Sequence, residues 1–183
     1  SGACVHNPHG DGVIPKAAVV QSYPLVERHG FLWIWLGDSS LADPAKIPDY
    51  SFLDDAVPTS IGYAYMHSPA HFEVMTDNIM DLSHADFVHG PLLQTNGQLT
   101  RSKAKLTEVG DDVVVRWEWE QNPAQGFFSQ FLPDQQGAAN QWVEVRWSAP
   151  ASMYLHVGAV QGSKEYDKGL VFLATHIMTA ETE

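Results

Sequence analysis

Phe72-Glu73-Val74-Met75-Thr76-Asp77-Asn78-Ile79-Met80-Asp81-Leu82-Ser83-His84-Ala85-Asp86-Phe87-Val88-His89 is the stretch around which the rest of the chain arranges itself. Phe72, Met75, Ile79 and Leu82 recur at steps of three and four, the period of an amphipathic helix. A helix is predicted over 70–83, with Gly90-Pro91 as its stop. Its polar residues read Asn78-x2-Asp81-x2-His84-x4-His89. Asp81 and His84 share a helix face. His84 and His89 are five apart, which an ideal repeat of about 3.6 residues separates around the axis. They converge on one atom only if the helix ends or widens between them.

Around this helix the pattern is that of strands. Arg101 to Val109 and Val113 to Glu120 read as a hairpin joined by Gly110-Asp111-Asp112. Gln141 to Trp147, Ser152 to Val160 and Leu170 to Met178 read as further strands, residues 59–66 as another, and a short helix is expected near Phe127 to Leu132. Antiparallel strands with one strong helix inserted predict an α+β domain. Upstream, 1–16 is an irregular loop. Ala17 to Val20 is a short apolar run, and Leu25 to Leu36, interrupted by Arg28-His29-Gly30, reads as a second hairpin. A connector punctuated by Pro44, Pro48 and Pro58 follows. The expected organisation is 1–38 as a small N-terminal remnant, 39–58 as a linker and 59–183 as the main domain.

The chain's 183 residues are 44% hydrophobic and 11% aromatic, enough for a packed core. Ten Lys and Arg against 22 Asp and Glu give a net charge of −12, which disfavours nucleic acid and anionic membranes as partners. No apolar run approaches the ~20 residues of a membrane span. With no leader-like start and one cysteine, Cys4, a reducing, cytoplasmic location is expected. Both ends read as cut: the chain begins Ser1-Gly2 and stops at Thr182-Glu183.

Two neutral imidazoles with a carboxylate suit Fe(II), Zn(II) or Mn(II), and leave positions open for dioxygen and substrate on Fe(II). Asp81 is placed to hold a ligating histidine from behind. A pair of histidines alone is usually structural, but the full four-residue pattern arises by chance on the order of one time in a thousand. His67 and His71 lack a carboxylate on their face and read as structural. Cys4-x-His6 has half the spacing of an iron–sulfur motif without its partner half. Tyr154 and His156 alternate onto one strand face, and Trp117 and Trp119 onto another, the latter as sheet core.

The segment Asp77 to His89 resembles the mononuclear iron motif of Rieske non-haem iron oxygenases. The resemblance continues in Gly2-Ala3-Cys4-Val5-His6-Asn7-Pro8, similar to the stretch after the second Rieske half-motif, and in Pro24 to Asp38, similar to the Trp-rich hairpin closing the Rieske domain. Ala42 to Asp49 resembles the linker of the vanillate O-demethylase and dicamba monooxygenase branch, and His176 to Glu183 one of its late strands. The resemblance implies a helix-grip-like catalytic domain preceded by the C-terminal end of an all-β Rieske domain. It makes His84 and His89 iron ligands, with the third, a carboxylate, beyond residue 183. It makes Asp81 the bridge for electrons from a neighbouring subunit, Asn78 a residue just outside the ligand shell, and His176 a contact for substrate; Tyr154 and His156, together on one face of a neighbouring strand, are weaker candidates for the same pocket. Implied too are a mononuclear Fe(II), a [2Fe–2S] cluster whose ligands lie outside this chain, NAD(P)H electrons through a separate reductase or ferredoxin, and a homotrimer. The implied reaction is monooxygenation of a small vanillate-like aromatic ether, whose hemiacetal product loses formaldehyde. By itself this chain is expected to be inactive.

Three rivals stand beside this reading. A ring-dihydroxylating dioxygenase shares the iron motif. A metal-free helix-grip domain binds a small apolar ligand in its cavity. A zinc hydrolase uses the same two histidines.

Overall fold

In the computed structural model, which describes residues 2–180, strand β1 (Leu25–Arg28) turns back on β2 (Phe31–Ile34) through His29 and Gly30. Both turn residues have positive φ, 56° and 77°, the pairing a tight hairpin of right-handed twist requires. The run Ala17 to Val20 forms only an isolated bridge, Ala3 to Val19. The proline-punctuated connector is not an open linker. Asp38 and Asp43 cap successive single turns by accepting from the Ser40 and Ala45 amides. Helix α1 (Phe52–Asp55) follows, and Tyr50, only 2% exposed, is packed among the rings of Phe31, Trp33 and Phe52. Buried His29 meets Asp54 at 2.6 Å. These residues belong to the first of two compact units, Ser1–Tyr63. Residues 59–66, expected as a strand, are a short turn and extended chain: Pro58 opens the turn and, among the described residues, no neighbouring strand takes up the backbone donors.

The second unit, Ala64–Glu183, is a five-stranded antiparallel meander. Its strands are β3 (Lys105–Val109), β4 (Asp112–Pro123), β5 (Ala138–Ser148), β6 (Ser152–Val160) and β7 (Leu170–Ile177), in spatial order identical to chain order. Alternation divides their side chains between two faces. One carries Val115, Trp117, Trp119, Val143, Val145, Met153, Val157 and Ala159, which form a core with Ala85, Leu99 and Phe128. Helix α2 (Phe72–Met80) lays Ile79 and Met80 against that core. Four single-turn helices complete the layer: α3 (Ala85–Val88), α4 (Gly90–Leu93), α5 (Gln98–Arg101) and α6 (Gly126–Ser129). The α+β class follows as expected, with Trp117 and Trp119 as sheet core at 4% and 6% exposure.

Three local differences from the sequence reading have physical causes. The hairpin strand starts at Lys105 rather than Arg101, because 98–101 close a helical turn. Near Phe127 the helix is a single turn, Gly126–Ser129, because Pro133 and the Asp134 turn take over the chain. Gly90-Pro91 opens α4 rather than ending all helical structure, since a proline in a first turn needs no amide.

The opposite face of the sheet has its own anchor. Trp142, fully buried, crosses Gly158, its direct partner on β6. A β-carbon at Gly158 would lie 2.0 Å from the indole, so only glycine leaves room for the ring. The β6–β7 connection folds back so that Tyr166 meets the indole edge to face at 5.0 Å.

Candidate metal centre

Helix α2 begins where His71 accepts the Glu73 amide through its own Nδ1, so this histidine is a helix cap. The helix ends at Asp81, whose φ of −111° and ψ of 94° leave the helical region. The Asp81 carboxylate accepts the Ser83 amide at 3.0 Å and starts a new, tighter turn over Leu82–His84. Hydrogen bonds from Ser83, with the nearby His84, hold the Asp81 carboxyl below the usual carboxylate range. Helix α3 follows for one turn, and His89 then departs from helical geometry at φ −109° and ψ 10°. The helical repeat is interrupted on either side of the His84–His89 segment.

The two rings converge to 5.5 Å between centroids at an interplanar angle of 72°. Imidazole nitrogens bound to one first-row metal at about 2.0–2.1 Å bring their ring centroids to roughly 5 Å, so the separation of the pair is that of two ligands on one metal. His84 Nδ1 lies 2.8 Å from the Asp81 carbonyl oxygen. A carbonyl only accepts, so Nδ1 carries the proton and Nε2 presents its lone pair. His84 is half-buried and His89 exposed. Among the described residues no third His, Cys, Asp or Glu joins them in a metal-holding group. Glu181 and Glu183, at the end of the late-strand resemblance, lie outside the described residues.

Asn78 sits exposed on α2, one turn before Asp81. His176 lies on β7 opposite Met153, whose side chain belongs to the core, and so faces the helical layer that carries His84 and His89. Burial pushes the His176 imidazole toward its neutral form, and its buried Nδ1 finds no hydrogen-bond partner among the described residues. Tyr154 and His156 stack on each other at 6.0 Å, but on the other face of the sheet. Their register partners there are Arg146 and Glu144. The sheet therefore separates these two from His176, because neighbours along one strand point to opposite faces. The strand residues sharing the His176 side include Met153, Leu155 and Val157, which the sequence marks only by their parity along the strand.

On the far face a concavity of about 420 Å³ is lined by Arg116, Trp142, Tyr154, His156 and Tyr166. Its guanidinium is already engaged by Glu118 at 2.6 Å and Glu144 at 3.0 Å, and lies over the Trp142 and Tyr166 rings. That arrangement holds the sheet face together and leaves the guanidinium already matched by carboxylates. Cys4 is exposed, its thiol donating to the His6 carbonyl.

This chain is similar along its whole length to the oxygenase component of dicamba O-demethylase from Stenotrophomonas maltophilia, with 31% identity over 182 residues and 53% of that protein covered. The crystal structure of dicamba monooxygenase bound to 3,6-dichlorosalicylic acid matches 96% of the chain at a TM-score of 0.84 and 30% identity, over 51% of its own length. The form with non-heme iron and dicamba matches at a TM-score of 0.73 and 27% identity, over 49% of its length. The chain thus spans about half the length of the relatives it matches. With the family model for the vanillate O-demethylase oxygenase C-terminal domain matched over residues 68–183, the chain belongs to that family.

Proposed function

We propose that this chain supplies two of the three ligands of a mononuclear iron in a Rieske-type oxygenase that O-demethylates a small aromatic compound. The observation that carries the reading is the His84–His89 pair, converged at 5.5 Å with the His84 tautomer set by a backbone carbonyl. Bound there, Fe(II) supplies reductive activation of dioxygen. The chain's own residues do the rest. Asp81 fixes the orientation of His84 through its carbonyl, while its exposed carboxylate is the hydrogen-bonding bridge across which electrons pass from the Rieske cluster of a neighbouring subunit to this iron. Asn78 stands just outside the ligand shell.

His176 is the substrate contact we favour, because an orphaned imidazole nitrogen on the inner sheet face gains a partner when a polar group of the substrate arrives. Tyr154 and His156 belong to the outer face and are not offered for this role. The third ligand, a carboxylate, is expected beyond residue 183. Residues 1–38 correspond to the end of the Rieske domain, whose cluster ligands lie outside this chain. A homotrimer supplied with NAD(P)H electrons through a separate reductase, in the cytoplasm, completes the reading.

The test is made on the intact protein. Iron analysis, oxygen uptake and formaldehyde release are measured with a reductase and trial methyl ethers. One mononuclear iron and one cluster per chain, with formaldehyde lost in His84→Ala, is the expected result. Stoichiometric zinc without oxygen uptake would transfer the site to a hydrolase.

A further inference from the structure

The single turn that carries both histidines has little intrinsic stability, because one turn of helix does not persist without outside contacts. One contact is Ala85, 2% exposed against the sheet core. On the other side Phe87 and Val88 are 75% and 68% exposed and hold nothing. A further anchor is Asp86. Its carboxylate accepts Thr95 Oγ1 at 2.5 Å, Thr100 Oγ1 at 2.5 Å and the Thr100 amide at 2.7 Å. Thr95 is 3% exposed, so this bond is shielded from water.

These donors lie in a segment that needs fixing. Gln94, Asn96 and Gly97 all have positive φ, at 53°, 54° and 79°. Such conformations at non-glycine residues persist only where surroundings impose them. Helix α5 starts at Gly97, which offers no capping side chain. Thr100 N–H, one of the unpaired amides at its start, is satisfied instead by a carboxylate fourteen residues earlier. Asp86 thus ties the turn between His84 and His89 to the 94–100 segment, which is held in turn to the sheet by buried Leu99 and by Gln98 on Asn122 at 2.6 Å.

We propose that Asp86 is a positioning residue of the iron site: its clasp on Thr95 and Thr100 sets the separation and angle of the His84 and His89 imidazoles. This inference rests on the iron-site reading above. It extends the site to a residue that touches neither metal nor substrate.

The experiment is a Co(II) titration of the intact protein with its mononuclear site emptied and its cluster kept oxidised, read as the ligand-field difference absorption against the Co(II)-free protein and paired with thermal melts. Asp86→Asn keeps the size of the side chain but cannot accept from all three donors. It is expected to bind Co(II) on the order of 10- to 100-fold more weakly, with shifted absorption bands. Val114→Ala, on the far sheet face, is the comparison for a general loss of stability and is expected to bind as the unmodified protein does. Should Asp86→Asn fail to fold, Thr100→Ala, which removes one hydroxyl donor and keeps the amide, takes its place with a smaller weakening and the same band shift. Affinity and bands unchanged in Asp86→Asn, or changed equally in Val114→Ala, would reduce Asp86 to a helix cap. If His84→Ala binds Co(II) as tightly as the unmodified protein, the iron-site reading has itself failed, and this inference with it.

Discussion

Asp81 holds His84 through its main-chain carbonyl, 2.8 Å from Nδ1, and not through its carboxylate, which caps the following turn at Ser83. The two jobs of this residue are therefore separable by mutation. Asparagine caps about as well as aspartate, so Asp81→Asn is expected to change stability by only a few tenths of a kcal/mol. Iron content should stay at the unmodified level while formaldehyde release falls roughly 10-fold or more. Metal analysis beside turnover checks this. Iron lost in step with turnover would mean that the carboxylate supports the site rather than bridging the electron path to it.

Gly158→Ala places a methyl group where the Trp142 indole lies, at 2.0 Å. Both residues are buried in mid-strand, so neither can step aside without disturbing the sheet. A loss of about 1–3 kcal/mol or more is expected from such overpacking. Denaturant unfolding measures it, and a midpoint equal to the unmodified protein's would contradict the packing described.

His176→Leu removes a buried nitrogen that has no partner among the described residues. Stability is expected to hold or rise, since an unpaired buried polar atom is replaced by an apolar one. Affinity for the aromatic substrate should fall by about 1–1.5 kcal/mol, or roughly 10-fold, the net value of one hydrogen bond. Calorimetric titration separates the two effects; a destabilised variant with unchanged affinity would make His176 a structural residue.

Burial lowers the pKa of His176, and also of His156, where Arg116 adds to the effect and Glu144 opposes it, both from an ordinary value of 6.5. The unfolded chain then takes up these protons first as pH falls. Their contribution is intact above about pH 6.5 and is lost below it, at up to about 1.4 kcal/mol per pH unit for each histidine. Melting temperature against pH should decline below 6.5, and less steeply in His176→Leu. Parallel curves would show that His176 is protonated as easily folded as unfolded.

Tyr50→Ala empties the centre of an aromatic cluster formed by Phe31, Trp33 and Phe52. A loss of about 3–5 kcal/mol is expected within the first unit. Hydrogen exchange of the β1 and β2 amides should accelerate while that of β5 and β6 stays slow. Uniform acceleration would mean that the two units unfold together.

Much of the second unit was legible in the chain. Ser152 to Val160 matches its strand end for end, because alternation on a sheet with two packed faces leaves little freedom of register. The helix over Phe72 to Met80 declared itself by its apolar period. The short elements did not: Arg101 read as the start of a strand because the single turn it closes, Gln98–Arg101, carries no period, and the donor at its start is met by Asp86, fourteen residues earlier.

The sequence by itself determined which side chains are candidates to hold a metal and that strands surround them, since period and residue chemistry are local properties. Only the tertiary structure decided which of the candidate contacts face the site. His176 and His156 look alike in sequence, but pairing with Met153 turns the first inward, and pairing with Glu144 turns the second to the far face. The same holds for Asp86, an ordinary acidic residue until the fold brings Thr95 and Thr100 to it. Face and partner are set by long-range strand pairing and loop closure, which no window of local sequence contains.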